Sequence, residues 1–235
     1  FPLTMLQLIW FAWWKRLDAI IVQYPLPAMF YFGMVKRVVG CALLVTYQGN
    51  DAHDLSLWDP RGRRLVKSLL EKADVVLAVS RTLLAKVQDV FPDLRLTRSR
   101  LLPNGAPLDV IGAVGEVRME EELPPNYVLT AGHLIHRKGI DTLISALRVA
   151  KDLGVTFHLV IAGDGPEREN LIRQSREQGV SNQIRFIGNQ SHSQVLHLMK
   201  SCLFFVLASR AEGMPLVIAE AMACGKAVVA TDVDG

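Results

Sequence analysis

"LFFVLASRAEGMPLVIAEAMACGKAVVATD", residues 203–232, reads as one strand–loop–helix–strand unit. The runs Leu203–Leu207 and Ala227–Thr231 are apolar without polar alternation, the pattern of strands covered on both faces. Between them Gly213 permits a tight turn, Pro215 pre-sets the first helical turn, and Ala219, Ala221 and Ala223 let a helix pack close to a sheet. A helix entered in this way aims backbone donors at an anion in front of it. Gly213, Met214, Pro215 and Leu216 form that entry, although Pro215 itself has no amide proton to give. Glu212 precedes the helix, and Glu220 follows Pro215 by little more than a turn, close enough to the same end to accept from vicinal hydroxyls such as those of a ribose. The competing reading is that both acids are surface features of one helix.

Working outward, the same exchange of short apolar runs and longer helical periodicity recurs. Ala19–Val22, Ala42–Tyr47, Val75–Val79, Tyr127–Thr130, His158–Ala162 and Ile184–Ile187 read as further strands. Leu65–Lys72, Thr82–Val90, Asp141–Lys151, Glu167–Gln178 and Ser193–Lys200 read as helices, with Gly179 placed to end the fourth and Ser191 or Ser193 to cap the fifth. The class is therefore α/β with parallel sheets and crossover helices. Sustained periodicity lapses from about Pro103 to Pro125, so two Rossmann-like domains are expected, over 1–110 and 126–235, with a linker over 111–125.

Half of the 235 residues are apolar and 21% are charged, which excludes a disordered chain. The net charge of +3 is divided: residues 1–115 carry 14 basic and 9 acidic side chains, residues 116–235 carry 12 and 14. A basic first half suits an anionic membrane face or substrate, or is an ordinary charged surface. Cys41, Cys202 and Cys224 have neither metal-ligand nor disulfide-framework spacing, and point to a reducing, cytoplasmic compartment. The opening "FPLTMLQLIWFAWW" is too short to span a bilayer; Trp10, Trp13 and Trp14, followed by Lys15 and Arg16, fit a peripheral contact at a membrane's cytoplasmic face or a core helix with a polar end. Basic residues are scattered and no paired aromatic motif accompanies them, which speaks against nucleic-acid binding.

Three more strand-end loops stand out. "GHLIHRKG", 132–139, offers a close turn at Gly132 and donors at His133 and Lys138, or is a solvated basic loop. "AGDGPERE", 162–169, brings Gly163 and Gly165 to either a close backbone approach or a tight turn, and carries too few glycines for a dinucleotide fingerprint. "GNQSHSQV", 188–195, can border a nucleotide base through backbone groups, or simply connect strand to helix.

Residues 209–232 resemble the donor-site signature of retaining glycosyltransferases of the GT-B fold, in particular family 4, glycosyl transferases group 1, whose motif is two glutamates separated by seven residues. "GHLIHRKGID" resembles the family's phosphate-binding segment, with Lys138 at its Lys and His133 at the position usually held by Arg. "LVIAGDGPERENL", "VVLAVSRTLLAKV" and "LLPNGAPLDV" resemble flanking family segments, and "LVTYQGNDAHD" resembles an acceptor-side loop with Gln48-Gly49 in place of His-Gly. The resemblance implies a GT-B protein, its first domain without its initial strands and its second without its last elements. It implies retaining transfer of a sugar from a nucleoside-diphosphate sugar to a hydroxyl of a glycan or lipid-linked acceptor, with no bound metal or other cofactor. Glu212, Lys138 and His133 would act in catalysis. Gly132, His133, Lys138, Gly163, Gly213, Met214, Pro215, Leu216 and Glu220 would hold the donor, and Gln48 and Gly49 would face the acceptor. The alternatives are a non-catalytic sugar-nucleotide-binding protein and a GT-B sugar-nucleotide epimerase.

Overall fold

The computed structural model describes residues 2–94, 98–115, 117, 119 and 122–233, the side chains of Pro2, Asn50, His53 and Asp54 excepted. The chain divides into two compact units, one holding the residues up to Asn104 with Glu212–Met214, the other Gly105–Ala211 with Pro215–Val233.

In the first unit the order is α1 (Pro2–Trp14), β1 (Ala19–Gln23), α2 (Phe32–Val39), β2 (Ala42–Tyr47), α3 (Asn50–His53), α4 (Pro60–Lys72), β3 (Val75–Ala78), α5 (Arg81–Val90) and β4 (Ser99–Leu101). The four strands are parallel and lie in the order β1-β2-β3-β4. Leu43, Val45 and Tyr47 of β2 form the core with Val76 and Ala78 of β3, Val66, Leu69 and Leu70 of α4, and Leu83 and Val87 of α5. Helix α4 starts where Asp59 accepts from the Gly62 amide with Pro60 behind it, and α5 where Ser80 accepts from Leu83. Asp74, just before β3, takes Lys36 at 2.6 Å and the Leu43 amide at 2.8 Å, and the Lys36 bond holds its carboxyl below the usual range.

The second unit runs α6 (Leu108–Ala113), β5 (Tyr127–Ala131), α7 (Ile140–Asp152), β6 (His158–Ala162), α8 (Arg168–Glu177), β7 (Ile184–Phe186), α9 (His192–Ser201), β8 (Phe204–Leu207), α10 (Leu216–Ala223) and β9 (Ala227–Ala230). All five strands are parallel, in the order β7-β6-β5-β8-β9. Alternate residues feed two separate layers. Leu129, Val160, Phe205 and Leu207 pack on α9 and α10 through Leu196, Met199 and Ala221. Val128, Leu159, Ile161 and Val206 pack on α7 and α8 through Ile144, Leu147 and Leu171. Burial on both faces is why these strands are apolar without alternation.

Each apolar run read from the sequence is a strand, with ends shifted by no more than one residue. β4 was not anticipated: two of its three residues, Arg100 and Leu101, are exposed, so no apolar run marks it. Leu108–Ala113 is helical where periodicity is not legible, because it is six residues long and buries only Ile111. Pro215 was expected inside the first helical turn; its extended ψ of 115° makes it the cap instead, and the helix begins at Leu216.

Candidate functional site

In a parallel sheet with helices on both faces, a ligand crevice forms beyond the carboxyl ends of the strands where the strand order reverses. Here the reversal lies between β5 and β8: the chain moves one way from β5 to β6 and β7, then returns to β8 and β9. A cleft of about 320 Å³ opens at these ends, lined by Gly132 and His133 after β5, Gly163 after β6, Gln190 and His192 after β7, and Val217 and Glu220 of α10.

The rim is joined by main-chain bonds. Gly132 donates to the Ala162 carbonyl at 2.9 Å, Leu134 to Asp164 at 2.9 Å, Glu167 to Leu134 at 3.0 Å, and Gly163 to Gly188 at 2.7 Å. Gly163 adopts φ 141°, and a Cβ there would overlap the Gly132 carbonyl, so the close approach foreseen for this glycine is to the neighbouring loop.

His133 is exposed, and its Nδ1 lies 2.6 Å from the Asp164 carbonyl. A carbonyl only accepts, so Nδ1 carries the proton and donates. Lys138 closes a 3-10 turn, His136–Lys138, and is half-buried; its side chain passes back over Gly132, where a Cβ would stand 3.9 Å from its Cε. Lys138 stands outside the residues lining the cleft. Arg210 fixes this turn: its amide donates to Arg137 at 2.8 Å, and its guanidinium reaches the His136 carbonyl at 2.5 Å and both oxygens of Asp141 at the start of α7.

Glu220 is 7% exposed, and its Oε1 accepts from Nε2 of His192 at 2.8 Å. That burial removes the surface-feature reading of this acid. His192 is the first residue of α9, set by a capping box in which Ser191 Oγ accepts from Gln194 and Gln194 Oε1 accepts from the Ser191 amide. Neither His192 nor Arg210 was singled out from the sequence. Each acts on a partner 28 and 69 residues away, and no local pattern signals such a pair.

Glu212, Gly213 and Met214 belong to the first unit. There Gly213 abuts Gln48 and Gly49: a Cβ on it would overlap the Gln48 carbonyl and stand 2.7 Å from Gly49 Cα. Asn104 donates through Nδ2 to the Met214 carbonyl at 3.0 Å. The Gln48–Gly49 turn is held by Asp51, whose carboxylate accepts from Gly49 at 2.7 Å and Gln48 at 3.0 Å; burial pushes its carboxyl up, against those amides. Of the expected donor residues, Gly132, His133, Gly163 and Glu220 meet at the cleft. Pro215 and Leu216 lie at the entry of α10 in the same unit. Among the described residues no cluster of three or more His, Cys, Asp or Glu is arranged to hold a metal ion, and no helix is long and apolar enough to cross a membrane.

Residues 1–105 match the family described as a glycosyl transferase 4-like domain. An uncharacterized glycosyltransferase of Methanocaldococcus jannaschii is 27% identical over 94% of this chain and 58% of its own length. The N-acetyl-alpha-D-glucosaminyl L-malate synthase of Bacillus anthracis is 25% identical over 94% of this chain and 58% of its own. The chain thus spans little more than half the length of these curated relatives. The crystal structure of Anabaena HepE in complex with UDP shares the fold, with a TM-score of 0.78 over 97% of this chain and 63% of that one at 20% identity. Residues 117–235, just over half of the 235, match the family described as glycosyl transferases group 1, and the chain belongs to that family.

Proposed function

We propose that this chain serves the retaining transfer of a sugar from a nucleoside-diphosphate sugar to an acceptor hydroxyl, as a family 4 enzyme of the GT-B type. The observation that carries the proposal is the buried Glu220 carboxylate in a cleft at the strand-order reversal, ringed by glycine turns and the His133 imidazole. A carboxylate there suits ribose hydroxyls, and the loops around it suit the phosphates that follow.

In this reading Glu220 takes the ribose, while His133, Lys138 and the amide of Leu216 take the diphosphate, and Gly132, whose own amide is bonded to Ala162, leaves the room for its close approach. Gly163 keeps the rim closed, and Pro215 sets the direction of α10. Glu212, with the amides of Gly213 and Met214, takes the transferred sugar, and Gln48 and Gly49 face the acceptor. In the reaction the bond from the anomeric carbon to the diphosphate oxygen breaks and a bond to the acceptor oxygen forms. The acceptor's proton leaves with the nucleoside diphosphate. Departure of that diphosphate is the demanding event, so charge compensation by Lys138, with the His133 imidazole beside it, is the main catalytic contribution.

The acceptor is a glycan or lipid-linked hydroxyl at a membrane surface. In α1, Leu3, Leu6, Trp10, Trp13 and Trp14 are each more than half exposed, Trp10 and Trp14 stack at 5.4 Å, and Lys15 sits 4.1 Å above the Trp14 ring. An apolar helix with indoles and a cation at its end suits the headgroup layer.

The test is titration of the protein with uridine, guanosine and adenosine diphosphate sugars, followed by a transfer assay whose product is assigned by nuclear magnetic resonance. Saturable binding by one donor and a product with the donor's anomeric configuration are expected. Binding without transfer to any acceptor points to the binding-protein alternative, conversion of the donor without an acceptor to the epimerase, and no saturable binding removes the site.

A further inference from the structure

Glu220 is a buried carboxylate with a single hydrogen-bond partner among the described residues, His192, which occupies Oε1. A carboxylate has about four lone-pair sites, and His192 occupies one of them, so Glu220 keeps acceptor capacity in the cleft it lines. The His192 ring is about half exposed and lines the cleft alongside Glu220, and the capping box fixes the backbone from which the ring projects. Across the pair, Leu196 of α9 and Ala221 of α10 are fully buried in one core layer, so the two helices cannot easily shift to relieve it.

We propose that His192 is the positioning residue for Glu220: it commits one carboxylate oxygen, presents the other as acceptor to a ribose hydroxyl, and thereby sets a preference for ribonucleoside over deoxyribonucleoside diphosphates. This rests on the assignment of Glu220 to the ribose. Nε2 must carry a proton to donate to the carboxylate, so the ring serves as a donor to Glu220 in both its neutral and charged forms. Without it, the carboxylate gains rotamer freedom and an unpaired oxygen, and one ribose hydroxyl no longer meets a fixed acceptor. Ligand discrimination then falls more than affinity for the diphosphate, which other residues hold.

The experiment measures affinity for UDP, GDP and ADP and for the 2′-deoxy and 3′-deoxy counterparts of whichever binds, by calorimetry. The wild-type chain, His192→Ala and His192→Asn are compared, with thermal unfolding recorded for each. The wild type is expected to prefer the ribonucleotide by about tenfold over at least one deoxy form, the worth of one hydrogen bond to a charged acceptor. His192→Ala should bring that ratio to within about threefold, and His192→Asn, whose amide can still donate, should restore most of it. A His192→Ala protein that melts earlier but keeps the wild-type ratio would show that the pair only ties α9 to α10, and overturns the proposal. A wild type that binds a nucleoside diphosphate without discriminating overturns it too, and leaves the sugar-nucleotide reading standing. Absence of binding by all three nucleoside diphosphates removes both.

Discussion

Arg210 closes a two-pronged ion pair on Asp141, with Nη1 2.9 Å from Oδ1 and Nη2 2.6 Å from Oδ2. The same guanidinium reaches the His136 carbonyl and Thr142 Oγ1, so one side chain joins the loop after β8 to the start of the turn that carries Lys138 and to the first turn of α7. Both partners are about a third exposed, so the pair contributes more to geometry than to stability. Arg210→Lys, which cannot form the planar fork, is expected to cost no more than about 1 kcal/mol of stability in a urea titration. It should nevertheless weaken sugar-nucleotide turnover severalfold. Equal loss of both, or of neither, would contradict this division.

Asp141 titrates below the ordinary carboxylate range because Arg210 bonds it. A folded value depressed below the unfolded one contributes stability that is present above the unfolded value and lost as pH falls through the folded one. The difference in melting temperature between wild type and Asp141→Asn should stay constant from about pH 5 to pH 8 and shrink only below about pH 4. A difference that changes across the neutral range would place the linkage elsewhere.

Glu220→Gln keeps the shape of the side chain and removes its charge. Loss of a charged acceptor for a hydroxyl corresponds to about 1.5–3 kcal/mol, so nucleoside diphosphate affinity should fall by about ten- to a hundredfold in calorimetry. Unchanged affinity in a folded variant would detach Glu220 from the ligand.

Gly163→Ala places a methyl group against the Gly132 carbonyl at a φ that side chains rarely adopt. Overpacking and backbone strain each cost about 1–3 kcal/mol. The second unit should therefore unfold at clearly lower urea, while Gly154→Ala, whose Cβ would meet nothing within 4 Å, bears only the strain of its φ of 77°. Comparable losses in the two variants would mean that the contact with Gly132 is readily relieved.

Replacing Trp10, Trp13 and Trp14 together with Ser should abolish sedimentation with vesicles containing anionic phospholipid and leave nucleotide affinity intact. Retained sedimentation would assign membrane contact to another surface.

The second sheet was legible because each of its inner strands is buried on both faces and therefore apolar throughout, as Val128–Leu129 and Leu159–Ile161 illustrate. β4 was not, since Arg100 and Leu101 face solvent and three residues make no pattern. The position of Glu220 near the helix entry followed from spacing along one helix. Its burial and its His192 partner did not, because they depend on how α9 packs beside α10. Arg210 was invisible for the same reason: a charge in a loop looks solvated until the fold brings Asp141 to it.

The rim of the cleft is held largely by main-chain bonds, from Gly132 to Ala162, Leu134 to Asp164 and Gly163 to Gly188. Its shape is therefore set chiefly by the backbone, to which His133 and Gln190 add one side-chain bond each, at the Asp164 and Ile187 carbonyls. That makes this half of the molecule a socket whose selectivity can be rewritten at a few positions while most of its geometry is retained.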